Sequence, residues 1–493
     1  MKKKLAAILF LVFALAIPLA MFCAFPLTAT AALGEYNSGD IAVINAMIDK
    51  NGLAWSRCPY TGGELSADPG WMSREWAGVF WSGDIMDKRI VSLHVSEKEL
   101  MGMLDVSALS NLTYLDCNRN YLTELTVSGL TNLYYLNCGY NSLTELDVSG
   151  LPNLDHLFCW NNKLTELDVS GLPKLGQFGC DQNKLTELDL SGLVNLTLLS
   201  CWGNGLTKLD VSDLSKLEEF CCSDNGLTKL DVSGLPKLRS LQCHYNALTE
   251  LDVSGLSNLE GLYCGYNELA KLDVSGLSKL RWVNCSHNEL SELDVSGLTN
   301  LKELNCSHNA LTELDVSDLV NLEWLYCSDN GLTELNVSAL AKLERLDCTG
   351  NDLLESLKCS DNRLTTLELY GLSNLKSLDC SHNELSELDV SVLSKLRELD
   401  CSHNNLIEVN VSGLTAVESF NFSPQNSKLR GDANGDYLVN AADAAAILRH
   451  IVRLETLRAH GKVNAKVTGG RGEVTTADAA KILRYIVRLE DSL

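Results

Sequence analysis

Leu301-Lys-Glu-Leu304-Asn-Cys306-Ser-His-Asn309-Ala-Leu311-Thr-Glu-Leu314-Asp-Val316-Ser-Asp-Leu319 is one copy of a motif that decides the fold of most of this chain. The pattern, L-x-x-L-x-C-x-x-N-x-L-T-x-L-D-V-S-x-L-x-x, has a period of 21 residues. Its cysteines are Cys117, Cys138, Cys159, Cys180, Cys201, Cys222, Cys243, Cys264, Cys285, Cys306, Cys327 and Cys348, and after a skip of 11 residues Cys359, Cys380 and Cys401. The third residue after each is asparagine, from Asn120 to Asn404. A fixed period of this length is the mark of a stacked solenoid. Leu304 and Cys306 alternate with polar residues at period two, as on a strand. The Asn309 amide both donates and accepts, so stacked asparagines would form a ladder that satisfies buried backbone groups. Each coil aims about seven apolar side chains inward, worth ~1.5–3 kcal/mol apiece. Ordering the coil's backbone costs ~1–2 kcal/mol per residue, so no coil folds alone and neighbours must stack. The segment Leu-Thr-Glu-Leu-Asp-Val-Ser-Gly-Leu is too short for a helix and is expected to be extended or 3₁₀, with Asp or Ser capping its turns. The coils together make an arc on the order of 70 Å long.

The chain has 18 cysteines. Fifteen share one inward repeat position. In-register side chains on adjacent strands run parallel, farther apart than the ~3.8 Å between Cβ atoms that a disulfide prefers. A ladder of buried thiols packing as small apolar groups is therefore expected. No C-x-x-C occurs, which disfavours zinc. Cys58 and Cys221 lie off the ladder and are left open between free and paired states.

Met1-Lys-Lys-Lys4, an apolar run from Leu5 to Phe25 and Ala29-Thr-Ala31 have the layout of a secretory signal peptide, residues 1–31. An uncleaved anchor is the alternative, since the run is long enough to span a bilayer. No other stretch is, so no membrane span is expected after cleavage. The formal net charge of -24 argues against nucleic acid or anionic lipid as partner.

Residues 32–111 read as an N-terminal cap, with Ile41, Ile44, Met47 and Ile48 at helical spacing. Trp55, Trp71, Trp76, Phe80 and Trp81 are expected to plug the open end of the core. The skip between Cys348 and Cys359 removes 10 residues, and a local kink or tight coil is expected there. At the far end Phe422 and Gln425 replace Cys and Asn, as in a worn terminal coil.

Residues 112–425 resemble the 21-residue, cysteine-laddered leucine-rich repeats of bacterial surface proteins, of the internalin J type. The resemblance implies a leucine-rich-repeat solenoid with a parallel β-sheet on its concave face and short extended or 3₁₀ convex segments. It also implies a recognition surface and no reaction, with the ligand unspecified.

The convex segment barely varies between coils, whereas the strand face does. The strand face carries Tyr114, Tyr134, Tyr135, Tyr140, His156, Phe158, Trp160, Trp202, Tyr245, Tyr263, Tyr266, Trp282, Trp324 and Tyr326. A scaffold has no structural need for large aromatics facing solvent, and exposed aromatic patches mark binding sites. The ligand-binding face is read as Tyr114, Tyr135, Phe158, Trp160, Trp202, Tyr245, Tyr263, Tyr266, Trp282, Trp324 and Tyr326, for a polysaccharide or a protein. Later coils turn polar, with Ser360, Asp361, Asp379, His382, Asp400 and His403, so the face is expected to be bipartite along its length. His287, His308, His382 and His403 share one repeat position, but the skip breaks their row. Weak metal binding by them is a minor alternative.

After Lys428 the pattern changes. Asp432, Asn434, Asp436, Asn440 and Asp443 stand at positions 1, 3, 5, 9 and 12 of a Ca²⁺ loop, with Leu438 offering its carbonyl at position 7. Position 6 is Tyr437 where glycine would ease the turn, and Asp443 is a methylene shorter than the usual glutamate. The following helix recurs 35 residues on, and only two of 14 positions differ between residues 442–455 and 477–490.

Residues 430–493 thereby resemble a type I dockerin, a small all-α EF-hand-like module. The resemblance implies Ca²⁺-dependent docking to a cohesin of a cellulosome-type scaffoldin, in polysaccharide catabolism. In the second copy Val467, Gly469 and Arg471 replace the ligands, so one firm calcium site and one degenerate loop are expected. By family analogy the cohesin-facing residues are Ala441, Ala442, Arg449, Thr476, Ala477 and Arg484. The whole chain then reads as a secreted, non-catalytic binding protein, held near the cell surface through a scaffoldin. Alternatives are an adhesion or protein-interaction factor, or a cellulosomal hydrolase, for which no segment remains to hold a catalytic domain.

Overall fold

The computed structural model describes residues 36–51, 53, 55, 76, 78–84, 87–338, 340–407, 409, 411, 414, 416–422, 425 and 445. Each repeat contributes one three-residue strand, such as Trp282–Asn284 or Glu303–Asn305. Its middle residue is buried, as Val283 and Leu304 are, while its first and third face out. Neighbouring strands pair in parallel and in register, Leu262 beside Val283 beside Leu304. Leucines, valines and the cysteine ladder form one continuous core.

The asparagine ladder is present and explains its own period. Asn288 Oδ1 accepts from Leu269 N–H (3.0 Å) one coil back. Its Nδ2 donates to the Cys264, Cys285 and Ser286 carbonyls at 3.1, 3.0 and 3.4 Å. Gln425 does the same work at the last coil, accepting from Leu406 N–H (3.0 Å) and donating to Cys401 O (2.9 Å). Convex segments are runs of tight turns. Leu172 N–H donates to Val169 O and Leu175 N–H to Leu172 O, while Asp168 Oδ1 accepts from Ser170 N–H at 2.9 Å.

All sixteen cysteines among the described residues are free and buried, the fifteen of the ladder and Cys221. Burial pushes the Cys285 and Cys243 thiols up to about 12. They are neutral packing groups.

At the N-terminal end the helix α1 (Ser38–Asn51) turns Ile41, Ile44, Met47 and Ile48 into the core. Asn37 caps it, accepting from the Gly39 and Asp40 amides at 3.0 and 3.1 Å. The buried Asp40 carboxylate binds Arg89 (2.9 Å) and Ile90 N–H (2.7 Å), fastening α1 to the strand Ile90–His94. That strand pairs in parallel with Tyr114–Asp116, so stacking begins one coil before Cys117, with Val95 buried near the ladder's start. The expected aromatic plug is only partly formed. Trp76 is buried, and Trp55 and Trp81 pack against the core, but Phe80 lies on a strand edge with 53% of its surface exposed. Trp71 falls outside the described residues.

The skip at Cys348 does something larger than the expected kink. Stacking continues at about one coil per 21 residues, but the motif has advanced by 11, half a turn. The strand Ser356–Lys358 therefore pairs with Glu334–Asn336, a convex-wall segment of the coil before, and not with Arg345–Asp347. In return Tyr370, from a convex segment, accepts from Gly350 N–H beside the strand wall. One sheet of 14 strands ends at Arg345–Asp347, and a second of five strands starts on the opposite wall. The core tolerates the exchange because both walls present leucines inward, Leu335 and Leu357 being buried at the join. One group records the mismatch: Asn362 Oδ1 is buried without a hydrogen-bond donor, although its Nδ2 donates to Val337 and Cys359 carbonyls, both 2.9 Å.

Candidate ligand-binding face

The half-turn corrects the bipartite face. Ser360, Asp361, Asp379, His382, Asp400 and His403 do not prolong the aromatic surface. Asp379 and Asp400 are on strands of the five-stranded sheet on the other wall, and the other four are in the turns beside it.

The remaining outward positions fall into columns. Tyr114, Tyr135, Trp282 and Trp324 open their strands, and Phe158, Tyr263 and Tyr326 close theirs. Trp160 and Trp202 follow the ladder cysteine directly. Tyr140, Tyr245, Tyr266, His287 and His308 are not on strands. They occupy the turn before the ladder asparagine, in the left-handed region with φ between 53° and 56°. The C-x-x-N turn needs a positive φ at its second x, and Gly203 and Gly350 answer that need without strain. Most other coils hold a non-glycine residue at this same positive φ, among them Arg119, Asn161 and Asp224, and what sets Tyr140, Tyr245 and Tyr266 apart is their bulk.

Three clusters result. In the first, Tyr114 and Tyr135 stack at 4.2 Å and 3°, and His94 lies 4.5 Å from Tyr114. Phe80 touches His94 at 5.2 Å, so the cap extends the face. Phe158 and Trp160 continue it at 4.8 Å. The Trp160 indole lies across neighbouring coils, over Gly139, where a Cβ would collide with it, and against Gly179, where a Cβ would be tight.

In the second, Tyr245, Tyr266, His287 and His308 stack at 4.1, 3.9 and 3.9 Å, and His308 Nε2 meets Asp329 at 3.4 Å. Beside this stack stand Tyr263, Trp282, Glu303, Trp324 and Tyr326. Burial pushes the Tyr263 phenol up to about 12 and raises the Glu303 carboxyl.

Between them Trp202 sits in a polar stretch that sequence reading missed. Asp181 is buried, accepting from Ser200 Oγ and from Trp202 N–H (2.8 Å). Burial pushes its carboxyl up to about 6. Ser223 Oγ is 2.9 Å from His244 Nδ1, and burial pushes that imidazole down to about 4. Cys221 is 3.9 Å from Ser223 Oγ with its thiol pushed up to about 12, which keeps it protonated. The only trace of this network in the sequence is a set of ordinary polar residues at variable positions.

No three His, Cys, Asp or Glu side chains among the described residues converge as a metal site. Asp432, Asn434, Asp436, Leu438, Asn440 and Asp443 lie outside the described residues, as do Ala441, Ala442, Arg449, Thr476, Ala477 and Arg484. Among the described residues no helix is long and apolar enough to cross a membrane.

The family described as Leucine Rich repeats (2 copies) matches residues 278–319 and 373–416, and a single Leucine Rich Repeat matches 321–343. No curated protein sequence matches the chain. Among solved structures, the functional domain of InlJ from Listeria monocytogenes, which includes a cysteine ladder, is 38% identical. The match covers 66% of this chain and 71% of that one, with a TM-score of 0.49. A leucine-rich-repeat protein of Leptospira interrogans is 27% identical, over 67% of this chain and 88% of that one, with a TM-score of 0.46.

Proposed function

The chain belongs to the leucine-rich-repeat family, with cysteine-ladder repeats similar to those of InlJ, and from that premise we propose that its 14-stranded wall is the recognition surface of a non-catalytic binding protein whose ligand is a protein. The observation that carries this reading is the way the rings stand. Tyr114 lies parallel to Tyr135, as Tyr245 does to Tyr266, so each ring covers a face of the other and mainly the ring edges are left to a partner. Tyrosine edges suit protein contacts, where such residues act as anchors. Sugars stack on open faces, which these pairs do not offer.

One observation favours a polysaccharide instead: the Trp160 indole, laid over glycine backbone, has a platform's orientation. The test that separates the two is retention of the secreted chain on insoluble cellulose, xylan and pectin, beside a Trp160/Trp202/Trp282/Trp324→Ala variant. The protein reading expects no retention by either chain. Retention that only the variant loses would make the ligand a polysaccharide.

The remaining segments keep the roles their sequence supports. The oxygen-rich loop 432–443 and its duplicated helix support a dockerin that places the chain on a cohesin of a scaffoldin, with one calcium bound. The apolar N-terminal run supports secretion. Calorimetric titration with Ca²⁺ that finds one tight site, and cohesin binding abolished by chelation, are the expected results. Calcium-independent behaviour would remove the dockerin assignment.

A further inference from the structure

The register of the 14-stranded sheet places Gly261, Trp282, Glu303, Trp324 and Arg345 in one outward column, each beside the next. Adjacent strands are ~4.8 Å apart, so the two indoles rise from backbones about 9.6 Å apart with one carboxylate between them. Glu303 is half-buried. Among the described residues no cation lies within ion-pair distance of it. The basic groups nearby are engaged elsewhere. Lys302 binds Glu323 at 2.7 Å, and Arg239 binds Glu260 at 2.8 Å. Arg281 and Arg345 lie 5.6 Å from the Trp282 and Trp324 rings respectively.

These contacts also show what the two indoles attract. Each already draws one of the chain's own guanidinium groups to its ring. A carboxylate set between two such rings, partly shielded from water and without a counter-charge, favours a cation over any neutral ligand. Tryptophan is the strongest aromatic partner for a cation, and the attraction grows as water is excluded. A planar guanidinium stacks on a ring while its N–H edge donates to a carboxylate.

We propose that Trp282, Glu303 and Trp324 form a recognition pocket for a basic side chain, arginine above lysine, presented by the protein ligand of this face. This rests on the protein-recognition reading and adds to it the chemistry of one contact. Tyr263, lying over Gly261, and Tyr326 flank the pocket on the neighbouring column.

The test is a titration of the full chain with Nα-acetyl-arginine amide and with its neutral isostere, Nα-acetyl-citrulline amide, followed by the indole N–H signals in NMR. The expected result is that the arginine probe shifts two indole signals, identified by Trp282→Phe and Trp324→Phe, and citrulline shifts neither. Glu303→Gln keeps the shape and the fold and is expected to weaken the arginine probe by about tenfold or more, the loss of a charged hydrogen-bond partner. Trp160→Phe leaves it unchanged. Equal response to both probes, no response to arginine, unchanged affinity in Glu303→Gln, or shifts of the same two signals by xylohexaose alone would each overturn the pocket. Failure here is distinct from failure of the wider reading. A protein partner lost through Tyr135→Ala and Phe158→Ala but kept by Glu303→Gln leaves the face standing and removes the pocket. Arginine binding in a chain that is retained on polysaccharide does the reverse.

Discussion

The arrays on either side of Cys348 are built from one motif and present opposite surfaces. Before it, 14 strands carry stacked rings on one wall. After it, four strands join Glu334–Asn336 in a sheet on the other wall that carries Asp379 and Asp400, with His382 and His403 in the adjoining turns, stacked at 4.0 Å. The difference teaches that in a solenoid the core and the face obey separate rules. The core needs only inward leucines at each level, so a half-turn slip leaves it filled. The face depends on where in the turn the strand falls, so the same slip moves it to the far side.

The largest effect is expected at the asparagines. Asn288→Ala strips an acceptor from Leu269 N–H and a donor from three carbonyls, in a row with neighbours above and below. Buried groups left unpaired cost ~1–3 kcal/mol each, so a loss of about 3–4 kcal/mol is expected from urea unfolding. Asn362 at the join makes no bond through Oδ1 but keeps its three donor bonds, so Asn362→Ala should cost about 1 kcal/mol less. Equal losses would mean the join is as well bonded as the interior.

A second contrast lies within the first array and is read by pH. Asp181 titrates at about 6 in the fold, above its ordinary value, so its contribution is present at pH 4 and lost as pH rises through 6. His244 titrates at about 4, below its ordinary value, so its contribution is present above pH 6.5 and lost as pH falls through 4. Each amounts to about 3 kcal/mol, and in the intact chain they oppose one another. Asp181→Asn should leave a protein that weakens in acid between pH 6.5 and 4. His244→Gln should leave one that strengthens over the same window. Parallel pH profiles for the two variants would contradict the burial described.

The smallest effect concerns the thiols. Ladder cysteines of both arrays should resist alkylation equally in the native chain, because their burial is the same on either side of the join. Among the described cysteines Cys221, on the outward side of a strand and 7% exposed, should label first, and only slowly. Fast labelling confined to Cys359, Cys380 and Cys401 would show that the second array is loosely stacked.

Much of this was legible in the residues. The 21-residue spacing, the buried cysteines, the Asn288-type ladder and the Asp168-type turns follow from period, polarity and side-chain chemistry. The aromatic surface was visible as variation against a constant background. Its division was not, because a skip of 11 reads as missing residues until it is counted against a turn of 21. The columns were obscured for a related reason. Tyr245 and Tyr266 sit one residue past the strand-like alternation, in a turn whose positive φ no propensity for tyrosine announces. Gly139 and Gly179 were readable as absences, but only the fold shows Trp160 filling them. The join and the pocket at Glu303 both depend on which residues stack one coil apart.

The central claim, that the two arrays face opposite ways, is tested most directly by pyrene pairs on introduced cysteines, with Cys23, Cys58 and Cys221 replaced by serine and the ladder thiols protected by burial. Glu334 and Ser356 are register neighbours, whereas Arg345 belongs to the other wall. Pyrenes at positions 334 and 356 should give excimer emission in the native chain that urea abolishes, and pyrenes at 345 and 356 should give none. Excimer at 345 and 356, with none at 334 and 356, would place both arrays on one wall and contradict the account.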